Sequence, residues 1–291
     1  MHIPVLLEKV IEYLDPKPGD NFVDCTIGET GHTKAILEKT APHGKVLGID
    51  VDLNSLKRIV PQDRLILAHG NFKDLRKIAT ENNFLNINGI LFDLGLSLWQ
   101  INESGKGFTY KKDEPLIMIL NGKQVVTAEE IVNKWPEESL VEIFEKYGEE
   151  RYSRRVVKEI VNCRKLAPIK TTFQLRNVVR KAIPYFSLAG RGTINRVLAR
   201  IFQALRIVIN DDLENLKTGL EQALEILVPK GRIAVISFHS LEDRIVKNFF
   251  RDKEKSGQVE ILTDAPVTAD EIEISMNYRS RSAKLRAAIK K

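Results

Sequence analysis

The sequence has few cysteines and no long apolar run, and both shortages narrow its class. Cys25 and Cys163 are the only cysteines in 291 residues, so neither a disulfide framework nor a cysteine-based metal site can be built. No apolar stretch approaches the roughly 20 residues that a membrane span needs. The N-terminus also lacks the basic and apolar regions of a signal peptide. These absences predict a cytoplasmic protein without a metal or a membrane attachment.

Acidic residues are almost missing from two segments, although the net charge of the whole chain is only +6. Residues 151–206 hold 14 Lys or Arg and a single acid, Glu159. Residues 277–291 hold six Lys or Arg and no acid. The rest of the chain is net acidic. This separation of charge predicts a phosphate-rich partner, and nucleic acid in particular.

Short apolar runs alternate with amphipathic stretches in the first hundred residues, which indicates a parallel sheet covered by helices. We expect seven strands, at residues 22–27, 45–50, 64–69, 87–93, 232–238, 259–262 and 285–289, the last two at the sheet edge. Between about 102 and 195 the pattern predicts helices only. The sequence therefore predicts an α/β core formed by residues 1–103 and 197–291, with an all-helical substrate-binding insertion at 104–196.

Three local signals mark helix and turn positions. Thr127 and Ser240 are each followed by acids within one turn, which predicts that both residues cap helices. A basic amphipathic helix is expected at 193–209. Pro229-Lys230-Gly231 predicts a tight turn just before the fifth strand.

Chemically active residues follow the predicted strands, where ligands bind in open α/β sheets. The run VDCTIGETGHTKAIL at 23–37 indicates strand, glycine turn and helix, which presents backbone N–H groups to a ligand. Asp50 ends the next strand, about 22 residues after Gly28, where a carboxylate suits ribose hydroxyls. The turn lacks the G-x-G-x-x-G fingerprint, so it favours a nucleoside over a pyrophosphate. A plain αβ connection with a closing glycine would look the same.

Three other residues at strand ends each leave two interpretations open. Phe72 either stacks on an adenine or belongs to the core. Asp93 either accepts a hydrogen bond from an amine of a substrate or cofactor, or caps a turn. His239 is either reactive or a histidine already satisfied beside a capping serine.

Nine blocks of sequence together resemble one family. They are HIPVLLEKVIEYL at His2, DCTIGETGHTKAIL at Asp24, GIDVD at Gly48, GILFDLGLS at Gly89, KGFTY at Lys106, YGEERYSRRV at Tyr147, FQALRIVIND at Phe202, ISFHSLEDRIVKNFF at Ile236 and NYRSRSAKLRAA at Asn277. In this order they are similar to the bacterial cytosine-N4 methyltransferases of small-subunit ribosomal RNA, the RsmH or MraW family. The resemblance implies a class I S-adenosylmethionine-dependent methyltransferase with a Rossmann-like sheet and an inserted helical domain. It also implies methylation of N4 of a cytidine in the decoding region of 16S rRNA.

The resemblance implies roles for individual residues. The implied cofactor contacts are Thr30, Gly31, His32, Asp50, Phe72, Asp93 and Gln100. Asp93 is the first candidate for an acceptor beside the cytosine amine, and His239 for the group that takes the released proton. The residues expected to contact RNA phosphates are Arg154, Arg155, Arg200, Arg206, Arg279, Arg281, Lys284 and Arg286. The implied partner is 16S rRNA or the small ribosomal subunit, and a homodimer is compatible with the family.

The chain departs from the family pattern at three places. Thr30 stands where the glycine-rich turn usually has glycine. Ile117 and Ile119 replace an acid and an arginine, and residues 197–199 replace Pro-Ala-Thr. We expect the second and third departures to face the RNA. They prompt a second hypothesis, an inactive or weakened scaffold that binds cofactor and rRNA as a ribosome-assembly factor. A DNA or small-molecule methyltransferase fits the basic insertion less well.

Overall fold

A computed structural model of the protein describes residues 3–121, 125–183 and 191–291. The chain divides into two compact units, Met1–Gly95 with Leu213–Lys291, and Leu96–Asp212. The predicted boundaries at 103 and 196 therefore move to 95 and 212. The long helix Arg191–Asn210 belongs to the helical unit, because its apolar face joins that unit's core.

The first unit is built on one seven-stranded sheet. Its strands are β1 (Asn21–Asp24), β2 (Val46–Asp50), β3 (Leu65–His69), β4 (Ile87–Asp93), β5 (Leu227–Ser237), β6 (Val259–Ile261) and β7 (Lys284–Lys290). The strand order is β3-β2-β1-β4-β5-β7-β6. Neighbours from β3 to β5 are parallel, and β7 runs antiparallel to both β5 and β6. The predicted Rossmann-like α/β sheet is confirmed.

Helices cover both faces of this sheet. The helices in the described parts of both units are α1 (Leu7–Leu14), α2 (Gly31–Lys39), α3 (Leu53–Lys57), α4 (Leu75–Glu81), α5 (Leu98–Asn102), α6 (Ala128–Lys134), α7 (Glu137–Lys146), α8 (Ser153–Leu166), α9 (Thr172–Ala182), α10 (Arg191–Asn210), α11 (Asp212–Ile226), α12 (Ser240–Lys255) and α13 (Glu271–Met276). Successive strand residues point to opposite faces. Leu91 packs in a core with Val10 of α1, whereas Phe92 packs in a second core with Leu220 of α11.

Two details of the sheet differ from the sequence prediction. The expected tight turn at 229–231 lies inside β5, where the pairing with β4 shifts register: Ile87 faces Leu227 and Gly89 faces Arg232. The strand thus continues through an irregularity and does not begin after a turn. The expected edge position of β7 is also wrong, because β7 lies between β5 and β6.

The second unit is helical, as predicted. Within its described residues, the β pairing is a single isolated bridge between Pro115 and Thr171. Thr127 caps α6 as expected, its side chain accepting a hydrogen bond from the Glu130 N–H. None of the helices described for the chain is long and apolar enough to span a membrane.

Four of the replaced positions, 117, 119, 197 and 198, lie in or against the core of the helical unit, whereas Ala199 is exposed. Ile119 is 9% exposed and Leu198 is 1% exposed, and half-buried Ile117 packs against the same cluster. The expectation that these departures face the RNA is therefore wrong for Ile119 and Leu198, because apolar side chains at these positions fill the interior.

Candidate functional site

The strand order creates a topological switch between β1 and β4, the place where open α/β sheets bind ligands. From β1 the chain continues to β2 on one side, whereas its other sheet neighbour is β4. The turn after β1 and the last residue of β4, Asp93, therefore meet at the same edge of the sheet. Asp50, the last residue of β2, lies beside that turn.

The turn between β1 and α2 has an unusual backbone. Gly28 has φ 47°, and Thr30 has φ 66° and ψ 13°. A Cβ at Gly31 would lie 2.3 Å from the Pro4 Cγ, so only glycine fits there without a shift. Left-handed backbone costs a non-glycine residue roughly 1 kcal/mol or more. Thr30 thus occupies a position that suits glycine, which explains the usual family residue, and it is 5% exposed.

Asp50 is a buried carboxylate with room for further donors. It is 8% exposed. Its Oδ1 accepts a hydrogen bond from the Asp52 N–H (2.8 Å) and its Oδ2 one from the Gly28 N–H (3.2 Å). Burial raises the pKa of Asp50 to about 6, and the two backbone bonds oppose that rise. Each oxygen keeps acceptor capacity, which is what a pair of ribose hydroxyls requires.

Asp93 presents an acceptor that the protein does not satisfy. Its backbone N–H donates to the Thr26 hydroxyl (2.7 Å), which fixes the end of β4 against the β1 turn. Its Oδ2 lies 3.6 Å from the His32 Nδ1, and its buried Oδ1 has no hydrogen-bond partner among the described residues. Burial raises the pKa of Asp93 to about 6, His32 opposes this rise, and Asp24 adds to it. A buried acceptor without a donor indicates a ligand position.

His32 is the imidazole that faces Asp93. It is 6% exposed, and its Nε2 lies 2.9 Å from the Val5 carbonyl oxygen. A carbonyl can only accept, so Nε2 carries the proton and Nδ1 of the neutral ring is an acceptor. That nitrogen lies 3.6 Å from the Asp93 Oδ2, which is beyond hydrogen-bond distance but within electrostatic range.

His239 has a different environment. It is the N-cap of α12, in place of the predicted Ser240, which becomes the first helical residue. Its Nδ1 accepts from the Glu242 N–H (3.3 Å), and its Nε2 lies 3.0 Å from the Glu242 Oε1. Glu242 therefore engages both ring nitrogens, which matches the alternative of a satisfied histidine. Taking up a further proton at Nδ1 would break the cap.

A polar network that the sequence interpretation missed supports the switch point. Asp24 is 2% exposed, and it accepts hydrogen bonds from the Thr33 hydroxyl (2.6 Å) and from the Thr26 N–H (3.1 Å). Burial raises the pKa of Asp24, and the Thr33 bond opposes that shift. Because the Thr26 hydroxyl also accepts from the Asp93 N–H, Asp24 helps to hold β1 and β4 in place. An aspartate ending an apolar strand was the available signal.

Phe72 follows β3, at the start of a short 3₁₀ turn. Its ring packs edge-to-face on Phe92 at 5.5 Å, and a Cβ at Gly219 would lie 2.7 Å from it. The ring is half-buried, so it belongs partly to the core. Stacking on an adenine stays a prediction.

Gln100 belongs to the helical unit. Its side-chain oxygen accepts from the Ser97 N–H (2.9 Å), and its own N–H donates to the Ser97 hydroxyl (3.2 Å), which forms a capping box on α5. The implied cofactor contact of Gln100 stays a prediction.

The predicted RNA-binding cations fall into two groups. Arg154, Arg155 and Arg281 have exposed side chains, although the Arg154 Nε also lies 3.7 Å from the Glu145 Oε1. Arg279 is half-buried, and burial lowers its pKa, an effect that the nearby carboxylates of Asp93 and Glu29 oppose. The contacts of these four residues with RNA stay a prediction.

The remaining four cations form ion pairs within the protein. Arg200 pairs with buried Glu150 (3.4 Å), and Arg206 pairs with Asp212 (2.7 Å). Asp243 accepts from both Lys284 (3.3 Å) and Arg286 (2.6 Å). Those two cations hold the pKa of Asp243 below its usual range, against the effect of its burial.

Among these cations, Arg286 departs most clearly from the predicted contact with RNA. It is 7% exposed and its guanidinium binds Asp243 through two nitrogens. We therefore remove Arg286 from the residues expected to contact RNA directly. Its charge serves the interior of the first unit.

Comparison with known proteins gives a consistent result along the whole chain. The model of the MraW methylase family matches residues 1–291. The ribosomal RNA small subunit methyltransferase H of Heliobacterium mobile is 44% identical over 310 residues, which cover 99% of this chain and 98% of that protein. The protein of the same name from Syntrophotalea carbinolica is 42% identical, covering 98% and 96%. Among solved structures, an rRNA methylase from Streptococcus thermophilus aligns over 100% of this chain and 99% of its own, with a TM-score of 0.44 and 11% identity.

Proposed function

We propose that this protein methylates the N4 amine of a cytidine in the decoding region of 16S rRNA. The premise is that the chain belongs to the MraW methylase family and is an S-adenosylmethionine-dependent rRNA methyltransferase. The observation that carries the proposal is the buried Oδ1 of Asp93, which has no donor within the described part of the chain. An exocyclic amine supplies the missing donor. The relatives are named for small-subunit rRNA, which supports the choice of substrate.

The strand-end residues fit S-adenosylmethionine. Asp50 has acceptor capacity for ribose hydroxyls, and the turn leaves room for a close approach at Gly28, where a Cβ would lie 3.7 Å from the Thr26 carbonyl oxygen. The half-buried ring of Phe72, which follows β3, is the side chain that we propose for contact with the adenine. When bound, S-adenosylmethionine supplies a methyl group activated by a sulfonium.

Asp93 would bind the substrate amine and take up its proton, with His32 next to the Asp93 carboxyl. The N4 lone pair of cytosine is delocalised into the ring, so N4 is a weak nucleophile until an acceptor binds its hydrogen. We expect the base to be flipped out of its RNA context, with Asp93 accepting from N4. After methylation N4 loses a proton, which passes to the Asp93 carboxylate. His32, whose Nδ1 lies 3.6 Å from the Asp93 Oδ2, acts on that carboxyl electrostatically and opposes the rise in its pKa.

Asp50→Asn is expected to weaken the binding of S-adenosylhomocysteine by about 10- to 150-fold, because an amide replaces a charged acceptor. The wild-type affinity should also fall as the pH drops below about 6, where the Asp50 carboxyl takes up a proton. Isothermal titration calorimetry measures both effects. Asp52→Asn is the matched control, since Asp52 is buried close by but caps α3 through the Asn54 N–H. Equal losses in the two variants would contradict the assignment.

One assay tests the proposed function against an inactive scaffold. The protein is incubated with labelled S-adenosylmethionine and unmethylated small ribosomal subunits, and the label is located by nuclease digestion and mass spectrometry. We expect N4-methylcytidine at one position. Cofactor binding without any N4-methylcytidine would overturn the proposal. The scaffold alternative is not favoured, because Ile117 and Ile119 fill the helical core and the strand-end carboxylates are present.

A further inference from the structure

An exposed aromatic ring stands on the 3₁₀ turn Tyr278–Ser282 in the C-terminal basic segment. Tyr278 is 70% exposed. Single exposed apolar residues are common and need no explanation by themselves. Tyr278 differs from such residues in three respects. Hydrogen bonds hold its backbone, its ring has a fixed direction, and basic residues follow it in the sequence.

The turn that carries Tyr278 is anchored on both sides. The Asn277 amide donates to the Ile3 carbonyl (2.9 Å), and the Asn277 side-chain oxygen accepts from the Arg279 N–H (3.3 Å). Ser280 is 0% exposed, and its hydroxyl donates to the Asn277 carbonyl (2.8 Å). The preceding helix α13 is tied to the N-terminal segment, because Glu273 accepts from the Leu6 N–H (2.7 Å). The exposed ring therefore projects from a defined backbone.

A hydrogen bond fixes the ring. The Arg281 Nη1 donates to the Tyr278 hydroxyl (2.7 Å), while the guanidinium carbon stays 5.6 Å from the ring centroid. At that distance, close to the outer limit for a cation–π contact, the guanidinium is held mainly by the hydroxyl. The ring is thus oriented and still largely exposed, so a planar partner could stack on it at little entropic cost.

The charge around the ring fits RNA. Residues 277–291 contain six Lys or Arg and no acid, and of these cations Lys284 and Arg286 pair with Asp243. Arg279, the next residue after Tyr278, lies within electrostatic range of Asp93. The turn thus carries an exposed ring next to a residue, Arg279, whose charge acts on the carboxylate assigned to the substrate amine. Unpaired RNA bases are bound by aromatic rings and guanidinium planes in positively charged grooves.

We propose that Tyr278, oriented by Arg281, is a stacking platform for an unpaired base of the RNA substrate. This inference rests on the proposed function for the identity of the RNA. The platform contributes binding and positioning of RNA. It has no part in holding S-adenosylmethionine.

The test measures the affinity of the full-length protein for a fluorescein-labelled single-stranded RNA that copies the decoding-region strand. Tyr278→Ala is expected to weaken binding by about 5- to 150-fold, the range for loss of one stacked base. Tyr278→Phe keeps the ring and should bind within about threefold of wild type. Tyr278→Leu keeps an apolar side chain without a π-face, and it should bind as weakly as the alanine variant. The affinity for S-adenosylhomocysteine and the unfolding midpoint of all three should match wild type.

A set of RNAs, each with one abasic position, locates the stacked base. At one position the abasic RNA should bind wild type and Tyr278→Ala equally, because the contact is already lost. If Tyr278→Ala binds RNA with wild-type affinity, the inference is wrong. It is also wrong if Tyr278→Leu does so, because an apolar side chain without a π-face would then suffice, as expected for contact with an apolar protein partner. If the wild-type protein makes N4-methylcytidine and Tyr278→Ala binds RNA normally, the stacking role of Tyr278 is contradicted and the proposed reaction stands. If no N4-methylcytidine forms but Tyr278→Ala weakens RNA binding, the proposed reaction is contradicted and the stacking role stands.

Discussion

Asp93→Asn is expected to lower the rate of methyl transfer by about 100- to 10,000-fold, the range for loss of a general base. The change keeps the size of the side chain but replaces a carboxylate oxygen by an NH₂ group, which cannot accept from the cytosine amine. Single-turnover kinetics with saturating cofactor and RNA measures the rate. His239→Asn is the matched control, because asparagine is a good N-cap and preserves that role. We expect this control to keep most of its activity.

The pH dependence of the wild-type rate should identify the same group. Because the pKa of Asp93 is raised to about 6, its carboxylate becomes protonated and the rate should fall as the pH drops through that value. The charged groups that act on Asp93 are His32, Asp24, Arg279 and Glu242. Asp93→Asn should lose this acid limb. If Asp93→Asn transfers the methyl group at the wild-type rate and keeps the same fall in rate at low pH, Asp93 is excluded as the proton acceptor.

The same substitution should make the protein without cofactor more stable. Burial raises the pKa of Asp93 from 3.8 to about 6 in the folded state. Between these values the folded protein holds a proton that the unfolded chain has lost, so wild-type stability falls as the pH rises. Above pH 6 the penalty is complete and amounts to at most about 3 kcal/mol. Urea unfolding at pH 8 should therefore show a gain in stability for Asp93→Asn, and a loss would contradict a desolvated carboxylate.

The fold could be predicted from the sequence because it follows from local patterns. The run INGILFD predicts β4 with the bounds that the structure shows, since a strand buried on both faces is continuously apolar. The domain boundary at residue 212, just after α10, could not be found in this way. The spacing of the apolar residues in this segment predicts a helix, but it does not indicate which hydrophobic core the apolar face of that helix joins.

The site could be predicted only in part. Gly31, Asp50 and Asp93 follow strands, and position along the chain was enough to select them. The contact between His32 and Asp93 depends on the distance between two strand ends, which no local spacing encodes. The ion pair of Arg286 with Asp243 was missed for a similar reason, because a count of charges does not show which of them are buried.

Ile119→Arg, which introduces the residue type usual in the family, is expected to destabilise the helical unit by about 3–5 kcal/mol, the penalty for a buried charge without a partner. Ile119 is 9% exposed, and the backbone on both sides of it is held by one side chain. The Asn210 amide donates to the Met118 carbonyl (2.9 Å), and its oxygen accepts from the Leu120 N–H (3.0 Å). Because these bonds fix residues 118 and 120, the arginine cannot swing outward without breaking them.

Urea unfolding followed by far-ultraviolet circular dichroism measures the effect, and Ile119→Leu is the control of similar volume. The leucine variant should lose less than about 1.5 kcal/mol. Adding Ile117→Asp supplies a carboxylate two residues away, at a half-buried position. If the pair of substitutions recovers part of the lost stability, the two family residues compensate each other and the isoleucines replace them as an apolar pair. An arginine variant with wild-type stability and faster methylation would instead place residue 119 against the RNA.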